Sequence, residues 1–253
     1  MTFSNFANNP GDKSGGHLAV KRDDVVTIKL IPDYGYQLSG ASINGVTLAP
    51  QTEVSTFTFK MPDTNVHFKG IFTQTSDEIN TSATKVSSAS FENGANAAPS
   101  GNLRLTVEDS DANTTNALAQ VENAVSAEAV NLTLDQIVSK GDGTNWENTV
   151  TQFDQPVKMK LKVADYDTAA GYEVVREHNG NLTKLTTSVS EDGTLTFETN
   201  QFSTYFIVKT AKKADNGNAK TEKSSNTSST TASSAAGSTD NAITAQSVSG
   251  EGV

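Results

Sequence analysis

The sequence has no cysteine, few basic residues and no long apolar run, and these absences narrow the classes of protein to which it can belong. The lack of cysteine fits an extracellular surface on which disulfides are not used, and it fits the cytosol equally well. No run approaches the ~18 consecutive apolar residues of a transmembrane helix. The 19 basic residues are outnumbered by 29 acidic ones, and the net charge of −10 would repel nucleic-acid phosphates. We therefore expect no nucleic-acid partner and no membrane insertion of this chain.

Hydrophobic residues make up 35% of the chain, which is low for a fully packed protein. The shortage is greatest at the C-terminal end, where twelve of the twenty residues from 221 to 240 are serine or threonine. Such a segment cannot bury enough apolar surface to offset about 1–2 kcal/mol per residue of ordering entropy. The composition therefore predicts a disordered Ser/Thr-rich tail over residues 211–253. The polar residues 1–15 predict a disordered N-terminus.

A second polar stretch divides the rest of the chain. Residues 73–85 contain one large aliphatic residue, Ile79. We predict a linker over residues 74–85, between a small domain at residues 16–73 and a second domain at residues 86–210. Both segments are long enough to form a small domain.

Alternation of apolar and polar residues is the dominant pattern in both predicted domains. In residues 157–163 every odd position is apolar and every even position is lysine. A period of two places the apolar side chains on one face of a strand and the lysines in water. Five further segments alternate in the same way: Val26/Ile28/Leu30, Phe57/Phe59/Met61, Leu103/Leu105/Val107, Val130/Leu132/Leu134 and Leu195/Phe197. These patterns predict half-buried antiparallel strands, and residues 203–209, which are apolar on both faces, predict an inner strand.

Turn residues separate the predicted strands, and one segment has a helical pattern. Glycine and asparagine tolerate positive φ, so three dipeptides predict tight turns: Asn44-Gly45, Asn179-Gly180 and Asp192-Gly193. Within residues 115–127, Leu118, Val121 and Val125 fall at helical spacing. The predicted fold class is all-β: a small antiparallel β domain, then an Ig-like β-sandwich with one short helix, and a disordered C-terminal tail.

Three consecutive motifs in the first domain have a distinctive order. Gly35-Tyr36-Gln37-Leu38 precedes Ser42-Ile43-Asn44-Gly45, and FTFKMPDTNV follows from Phe57 to Val66. In the order and spacing of these motifs the domain resembles the divergent repeat domains of bacterial surface proteins, the InlB B-repeat-like family. The second domain is similar to the C-terminal β-module that follows such repeats in secreted proteins of Gram-positive bacteria. That similarity lies in residues 131–134, 175–180 and 197–205.

The resemblance implies an extracellular, wall-associated protein built from stacked β-modules. Residues 1–16 have no basic segment followed by an apolar one, so they do not resemble a signal peptide. The chain also ends at Val253 without a sortase motif. We therefore expect it to be a fragment of a larger secreted or cell-wall protein. The expected function is a stalk or an adhesion platform, with a host or envelope protein or a polysaccharide as its partner.

We expect no enzymatic activity, because the sequence assembles no catalytic constellation. His178 could act as a general base with Glu177 beside it. However, sequential residues on a strand point to opposite faces, and we interpret the pair as a polar approach to a hairpin. Nucleophile-elbow, phosphate-loop and histidine metal motifs are absent from the sequence, and we predict no cofactor.

Asp109, Asp111 and Asn113 have the D-x-D-x-N spacing that opens a calcium-binding loop. The complete loop has glycine at its sixth position and glutamate at its twelfth, where this sequence has Thr114 and Gln120. Calcium held by a different set of oxygen atoms is one interpretation. The other is an acidic helix N-terminus that Asn113 or Thr114 caps.

Trp146 lies in a polar, glycine-rich segment at residues 141–148. Its ring could stack on a sugar while Asp142 and Asn145 bind hydroxyl groups. That interpretation supports an alternative function, a carbohydrate-binding accessory module of a secreted glycoside hydrolase. The competing interpretation is an anchor that packs the loop on the edge of the sandwich. Tyr36 belongs to the repeat pattern, and we expect it in the core of the first domain.

Overall fold

The computed structural model of the chain describes residues 2–3, 20–43, 46–66 and 68–211. The predicted Asn44-Gly45 hairpin lies outside the described residues, as does the predicted tail from residue 212 onward. Of the predicted disordered N-terminus, only Thr2 and Phe3 are described.

Strands account for most of the described residues and fall into two groups along the chain. The first group, which we call the N-terminal module, comprises β1 (Thr2–Phe3), β2 (Val25–Lys29), β3 (Tyr36–Ile43), β4 (Ala49–Pro50), β5 (Thr56–Lys60) and β6 (Phe68–Gln74). The second group, which we call the sandwich, comprises β7 (Glu78–Thr81), β8 (Val86–Glu92), β9 (Asn102–Asp109), β10 (Ala124–Ser139), β11 (Asn145–Thr149), β12 (Gln152–Val163), β13 (Gly171–His178), β14 (Asn181–Leu185), β15 (Ser188–Val189), β16 (Thr194–Gln201) and β17 (Thr204–Thr210).

The N-terminal module is built from two small sheets. One has the strand order β1-β2-β5-β4, and the other pairs β3 with β6. In the antiparallel pair of β2 and β5, Val26 lies opposite Phe59 and Ile28 lies opposite Phe57. All four side chains are buried, together with Leu38 of β3. The alternation predicted for β2 and β5 is therefore confirmed.

The sandwich consists of two facing sheets. One has the order β14-β13-β17-β10-β9-β7, with β11 also paired to β10, and the other has the order β15-β16-β12-β8. Leu103 and Leu105 from the first sheet meet Met159 and Leu161 from the second in a core from which water is excluded. Burying a side chain of this size contributes about 1.5–3 kcal/mol. The predicted all-β fold with a β-sandwich is confirmed.

β12 shows why the alternating pattern was a reliable guide. Its apolar residues are buried against the other sheet, and its three lysines lie partly exposed on the outer face. Lys158 pairs with Glu92 at 3.4 Å, and Lys162 pairs with Asp192 at 3.2 Å. The lysines thus stay in water beside acidic residues of the neighbouring strand β8 and of the turn between β15 and β16, while the other face of β12 is buried.

The helix is shorter than predicted. It spans only Thr115–Leu118, which we label α1, and the backbone at Asn123 has a φ of 55°. Val125, expected on the apolar face of the helix, lies in β10 and is 61% exposed. The reason is that β10 pairs with β17 on both sides of Val125, through Ala124 and through residues 126–131, with an irregularity of the ladder at Val125 itself. The hydrogen bonds of that ladder outweigh a weak helical periodicity.

The predicted inner strand is β17, which lies between β13 and β10. Tyr205 and Ile207 face the sandwich core, whereas Phe206 and Val208 pack on the other side of the sheet beside α1. Because both faces of β17 are covered, its residues 205–208 are apolar without interruption, as the sequence indicated.

Two of the predicted turns are also confirmed. Asn179 and Gly180 join β13 to β14 with φ values of 51° and 77°. Gly193 connects β15 to β16 with a φ of 82°. These left-handed values are accessible to asparagine and glycine at low cost.

Strand β7 lies within the segment that the sequence predicted as a linker. It pairs in parallel with β9, with Ile79 opposite Leu105. Each of its four side chains is exposed, so no alternation marks it in the sequence. Together the described residues form one compact unit. No helix within them has the length and apolar character needed to cross a membrane.

Candidate functional site

One strand, β10, takes part in two cores. Its first half supplies Val130, Leu132 and Leu134 to the sandwich core. Near its end, Val138 is buried in the core of the N-terminal module. The hairpin of β10 and β11 therefore extends from the sandwich into the module. We call the region where the two meet the junction, and it is formed by Tyr34, Gln37, Gln51, Asn102, Ser139 and Trp146.

Trp146 fastens this hairpin to the N-terminal module. Trp146 lies on β11, opposite Val138 of β10, and is only 8% exposed. Its ring meets Phe57 edge to face, with centroids 5.5 Å apart and planes at 82°. Such an aromatic pair contributes about 0.5–1.5 kcal/mol beyond its buried area. The indole Nε1–H donates to the carbonyl of Gln51 at 2.8 Å, so the ring is held at its edge as well as by packing.

The side-chain amide of Gln37 joins the two parts by hydrogen bonds. Its Nε2 donates to the carbonyl of Ile137 at 2.9 Å and also to Oδ1 of Asn102. Its Oε1 accepts the backbone N–H of Ser139 at 2.6 Å. The hydroxyl of Ser139 in turn donates to the carbonyl of Leu38 at 2.8 Å. A partly buried amide whose oxygen and nitrogen are both satisfied fixes the orientation of the strands on either side.

Tyr34 makes the third link of the junction. Its hydroxyl donates to the carboxylate of Asp77, whose other oxygen accepts the backbone N–H of Leu103 at 2.8 Å. Burial, together with the hydrogen bond to Asp77 and its negative charge, raises the pKa of Tyr34. A Cβ atom at Gly94 would lie 1.9 Å from the hydroxyl oxygen, so only glycine leaves room for this ring.

Tyr36, which we expected in the core of the first domain, is instead 43% exposed. The aromatic residue that packs inward is Tyr34, two positions earlier. The reversal follows the turn at Gly35, whose φ is 80° and whose N–H donates to the carbonyl of Gly101 at 2.8 Å. That turn directs Tyr34 to the sandwich before β3 begins.

The three candidate sugar contacts do not share one open surface. Trp146 is buried in the junction, whereas Asp142 and Asn145 are exposed. The carboxylate of Asp142 closes its own turn by accepting the N–H of Thr144 at 2.9 Å and the hydroxyl at 2.7 Å. These bonds lower the pKa of Asp142. The geometry supports the packing interpretation of Trp146, with the N-terminal module rather than the sandwich edge as the surface it packs against.

The calcium candidates are also separated in role. Both carboxylate oxygens of Asp109 accept the backbone N–H of Thr84, at 2.9 and 3.1 Å. Asp111 is exposed, and Oδ1 of Asn113 accepts the N–H of Thr115 at 2.8 Å in the first turn of α1. In the described part of the chain, histidine and acidic side chains form no group of three or more that could hold a metal ion. The N-cap position of α1 is Thr114, which makes no side-chain capping bond, so Asn113 closes a turn just before the helix rather than capping it.

An open cleft lies at the end of the seven-stranded sheet that is opposite the junction. Lys85, Asp165, Tyr172 and Lys209 line it. Lys85 lies 3.8 Å from Asp165, and Lys209 lies 2.9 Å from Asp167. Both lysines are thus already paired with carboxylates of the chain.

Comparison with known proteins adds no relative: no family model, no curated protein and no solved structure matches the chain. The likeness to bacterial surface repeats stays a prediction from the motifs.

Sequence reasoning did not identify Gln37, Asn102 and Ser139 as residues of the junction. One feature of the sequence could have indicated that another part of the chain packs on the sandwich at the end of β10. Ile137 and Val138 are adjacent apolar residues at the end of an alternating strand, and both are buried. Two consecutive buried residues mean that both faces of the strand are covered at that point. This pair of residues would therefore have predicted a second layer of protein that packs on the sandwich at this point.

Proposed function

We propose that the chain is a non-enzymatic module of an extracellular cell surface, which acts as a stalk or as a platform for adhesion. The observation that carries the proposal is the junction. One strand passes through both cores, and Trp146 and Gln37 join the parts by packing and by hydrogen bonds. Modules connected in this way hold a fixed direction, which is what a projecting structure requires.

The register of β10 supports a serial arrangement of the two parts. The N-terminal module contacts β10 at Ile137–Ser139, near its C-terminal end. At the start of β10, Ala124 pairs with Thr210, the last residue of β17. A strand of 16 residues spans roughly 50 Å at about 3.3 Å per residue. The chain thus leaves the sandwich at the end opposite the junction, and the N-terminal module is held away from that exit.

The exposed apolar residues support contacts with a partner at the N-terminal module. Most of the large apolar side chains that are exposed in the described residues lie there: Val25, Ile31, Tyr36, Val54 and Ile71. Exposed apolar surface is more common at interaction sites, so the concentration of these residues in the module favours it as the part that contacts a partner. The proposed partner is a host or envelope protein or a polysaccharide.

An antibody against the N-terminal module, applied to intact cells of the organism that produces the chain, tests the proposal. We expect labelling without permeabilisation and its loss after brief protease treatment of the intact cells. An antibody against a cytosolic protein serves as the control and should label permeabilised cells only. Labelling that appears only after permeabilisation would contradict the proposed location. Hydrolase or protease activity of the purified chain would contradict its non-enzymatic part.

A further inference from the structure

The two strands at which tension would enter and leave the sandwich run in the same direction. β7 is parallel to β9, β9 is antiparallel to β10, and β10 is antiparallel to β17. β7 and β17 are therefore parallel members of one sheet, with β9 and β10 between them. The chain enters β7 at Glu78, on the side of the junction, and leaves β17 at Thr210, on the opposite side.

Tension between these two points acts along the strands. The hydrogen bonds of an antiparallel pair are perpendicular to the strands, so a pull along them loads the whole ladder together. β17 is held on both sides, since it pairs with β10 from Thr204 to Thr210 and with β13 over the same residues. It can slide only if both ladders break at once.

Side chains strengthen the attachment of both strands that would carry the tension, β17 and β7. The hydroxyl of Tyr205, which is fully buried, donates to the carbonyl of Gln201 and lies 2.8 Å from Oγ1 of Thr199. Beside β7, the Nε atom of Arg104 on β9 lies 2.8 Å from Glu78 on β7. The Nη1 atom of Arg104 lies 3.2 Å from Glu147 on β11. Sliding β17 would move a buried ring out of its site, and sliding β7 would break an ion pair.

We propose that the sandwich is a force-bearing element, in which tension along the chain is resisted by shear of the seven-stranded sheet between β7 and β17. This deepens the proposed function and rests on it for its biological meaning. The mechanical property itself depends only on the geometry of the strands. It can therefore be tested separately from the location of the protein.

The test compares two directions of pulling on the full chain. Because the chain has no cysteine, two introduced cysteines define the attachment points without ambiguity. Ser76→Cys with Ala211→Cys loads β7 and β17 in shear. Glu122→Cys with Ala211→Cys pulls apart the ends of β10 and β17 that lie side by side, and opens their ladder one bond at a time. All three positions are exposed.

Single-molecule force spectroscopy at one loading rate gives the unfolding force for each pair. We expect the shear pair to unfold at a force higher by about twofold or more, since many hydrogen bonds must break together. Equal forces, or a lower force for the shear pair, would overturn the proposal. Thermal unfolding of both variants should match that of the unmodified chain. If Glu122→Cys disturbs the fold, the exposed Gln120→Cys provides the same geometry.

Discussion

The sandwich and the N-terminal module differ in where their cores come from. The sandwich core is formed almost entirely by its own two sheets, and the N-terminal module contributes the partly buried Tyr34 at its margin. The core of the module, in contrast, includes Val138 and Trp146 of the sandwich among its buried residues. The dependence is therefore unequal: the module needs the sandwich more than the sandwich needs the module.

This asymmetry has a physical origin in size. The module, from Thr2 to Gln74, is little more than half as long as the sandwich, from Glu78 to Thr210. A shorter segment buries a smaller fraction of its surface, so the module's own core is marginal. Two sheets that contain short strands such as β1 and β4 enclose little apolar volume by themselves. The β10–β11 hairpin supplies a buried tryptophan and valine that the module does not contain. Packing of the module on this hairpin thus completes the core of the module and also fixes its orientation on the sandwich.

Separating the two parts should have the largest effect. We expect a fragment of residues 76–211 to unfold cooperatively at a temperature close to that of the intact chain. A fragment of residues 1–75 keeps every strand of the module but lacks Val138 and Trp146, and we expect it to show no cooperative transition by circular dichroism. Adding the first fragment to the second should restore β structure in the second. A cooperative transition of residues 1–75 alone would show that the module does not depend on the sandwich.

Removing the ring of Trp146 should separate the two parts within the intact chain. Trp146→Ala leaves a cavity between Phe57 and the hairpin, and we expect the N-terminal module to lose about 3–5 kcal/mol of stability. The sandwich should keep its own transition in urea unfolding followed by circular dichroism. Trp146→Phe, which retains an aromatic ring but loses the bond to Gln51, should have a smaller effect. Equal destabilisation of both parts by Trp146→Ala would show that their cores are not separate.

Alkaline pH should destabilise the sandwich through Tyr205. Burial raises the pKa of Tyr205 from its ordinary value of 10.0 to about 12, so the neutral phenol is favoured in the folded state. The stability that depends on this phenol is complete below about pH 10 and is lost as the pH rises through about 12. The unfolding should include the N-terminal module, which depends on the sandwich. Tyr205→Phe removes the ionisable group and should weaken the pH dependence of the melting temperature over this range, and an unchanged profile would assign the effect to other groups.

The hydrogen bonds of the junction should contribute less than its packing. Gln37→Leu leaves the N–H of Ser139 and the amide of Asn102 without one partner each, at a cost of about 1–3 kcal/mol. Fluorescence of Trp146, the only tryptophan of the chain, reports the change at the junction. Gln74→Leu is the matched control, because Gln74 lies on β6 of the same module and its exposed side chain makes no hydrogen bond to the described residues. We expect the control to change stability by less than about 0.5 kcal/mol. An equal loss of stability in the two variants would show that the hydrogen bonds of Gln37 do not stabilise the junction.

Much of the fold could be predicted from the sequence because most strands have one dry face and one wet face. Lys158, Lys160 and Lys162 mark the wet face of β12 as clearly as Met159 and Leu161 mark the dry one. Where that condition fails, the prediction fails too. β7 has no buried face, so no alternation marks it as a strand, and Val125 follows a helical spacing although it lies at an irregularity in the ladder of β10 and β17.

The junction could not be predicted, because a local pattern says that a side chain is buried and not which core buries it. The sequence offers packing as one interpretation of Trp146, but its partners Phe57 and Gln51 lie some ninety residues away in the chain. Gln37 offered no signal, since a single polar residue at the start of a strand usually faces water. Its role depends on the carbonyl of Ile137 and the N–H of Ser139, which only the folded chain brings within reach.

Native-state hydrogen exchange of the unmodified chain, measured over a series of low urea concentrations, tests the unequal dependence most directly. The account predicts that amides of β2 and β5 exchange through an opening of lower free energy than the global unfolding that exposes β10 and β17. Opening of the N-terminal module should leave the protection of β17 intact. If amides in β2 and β5 instead exchange with the same free energy and the same urea dependence as those in β17, the two parts unfold as one unit and the account is contradicted.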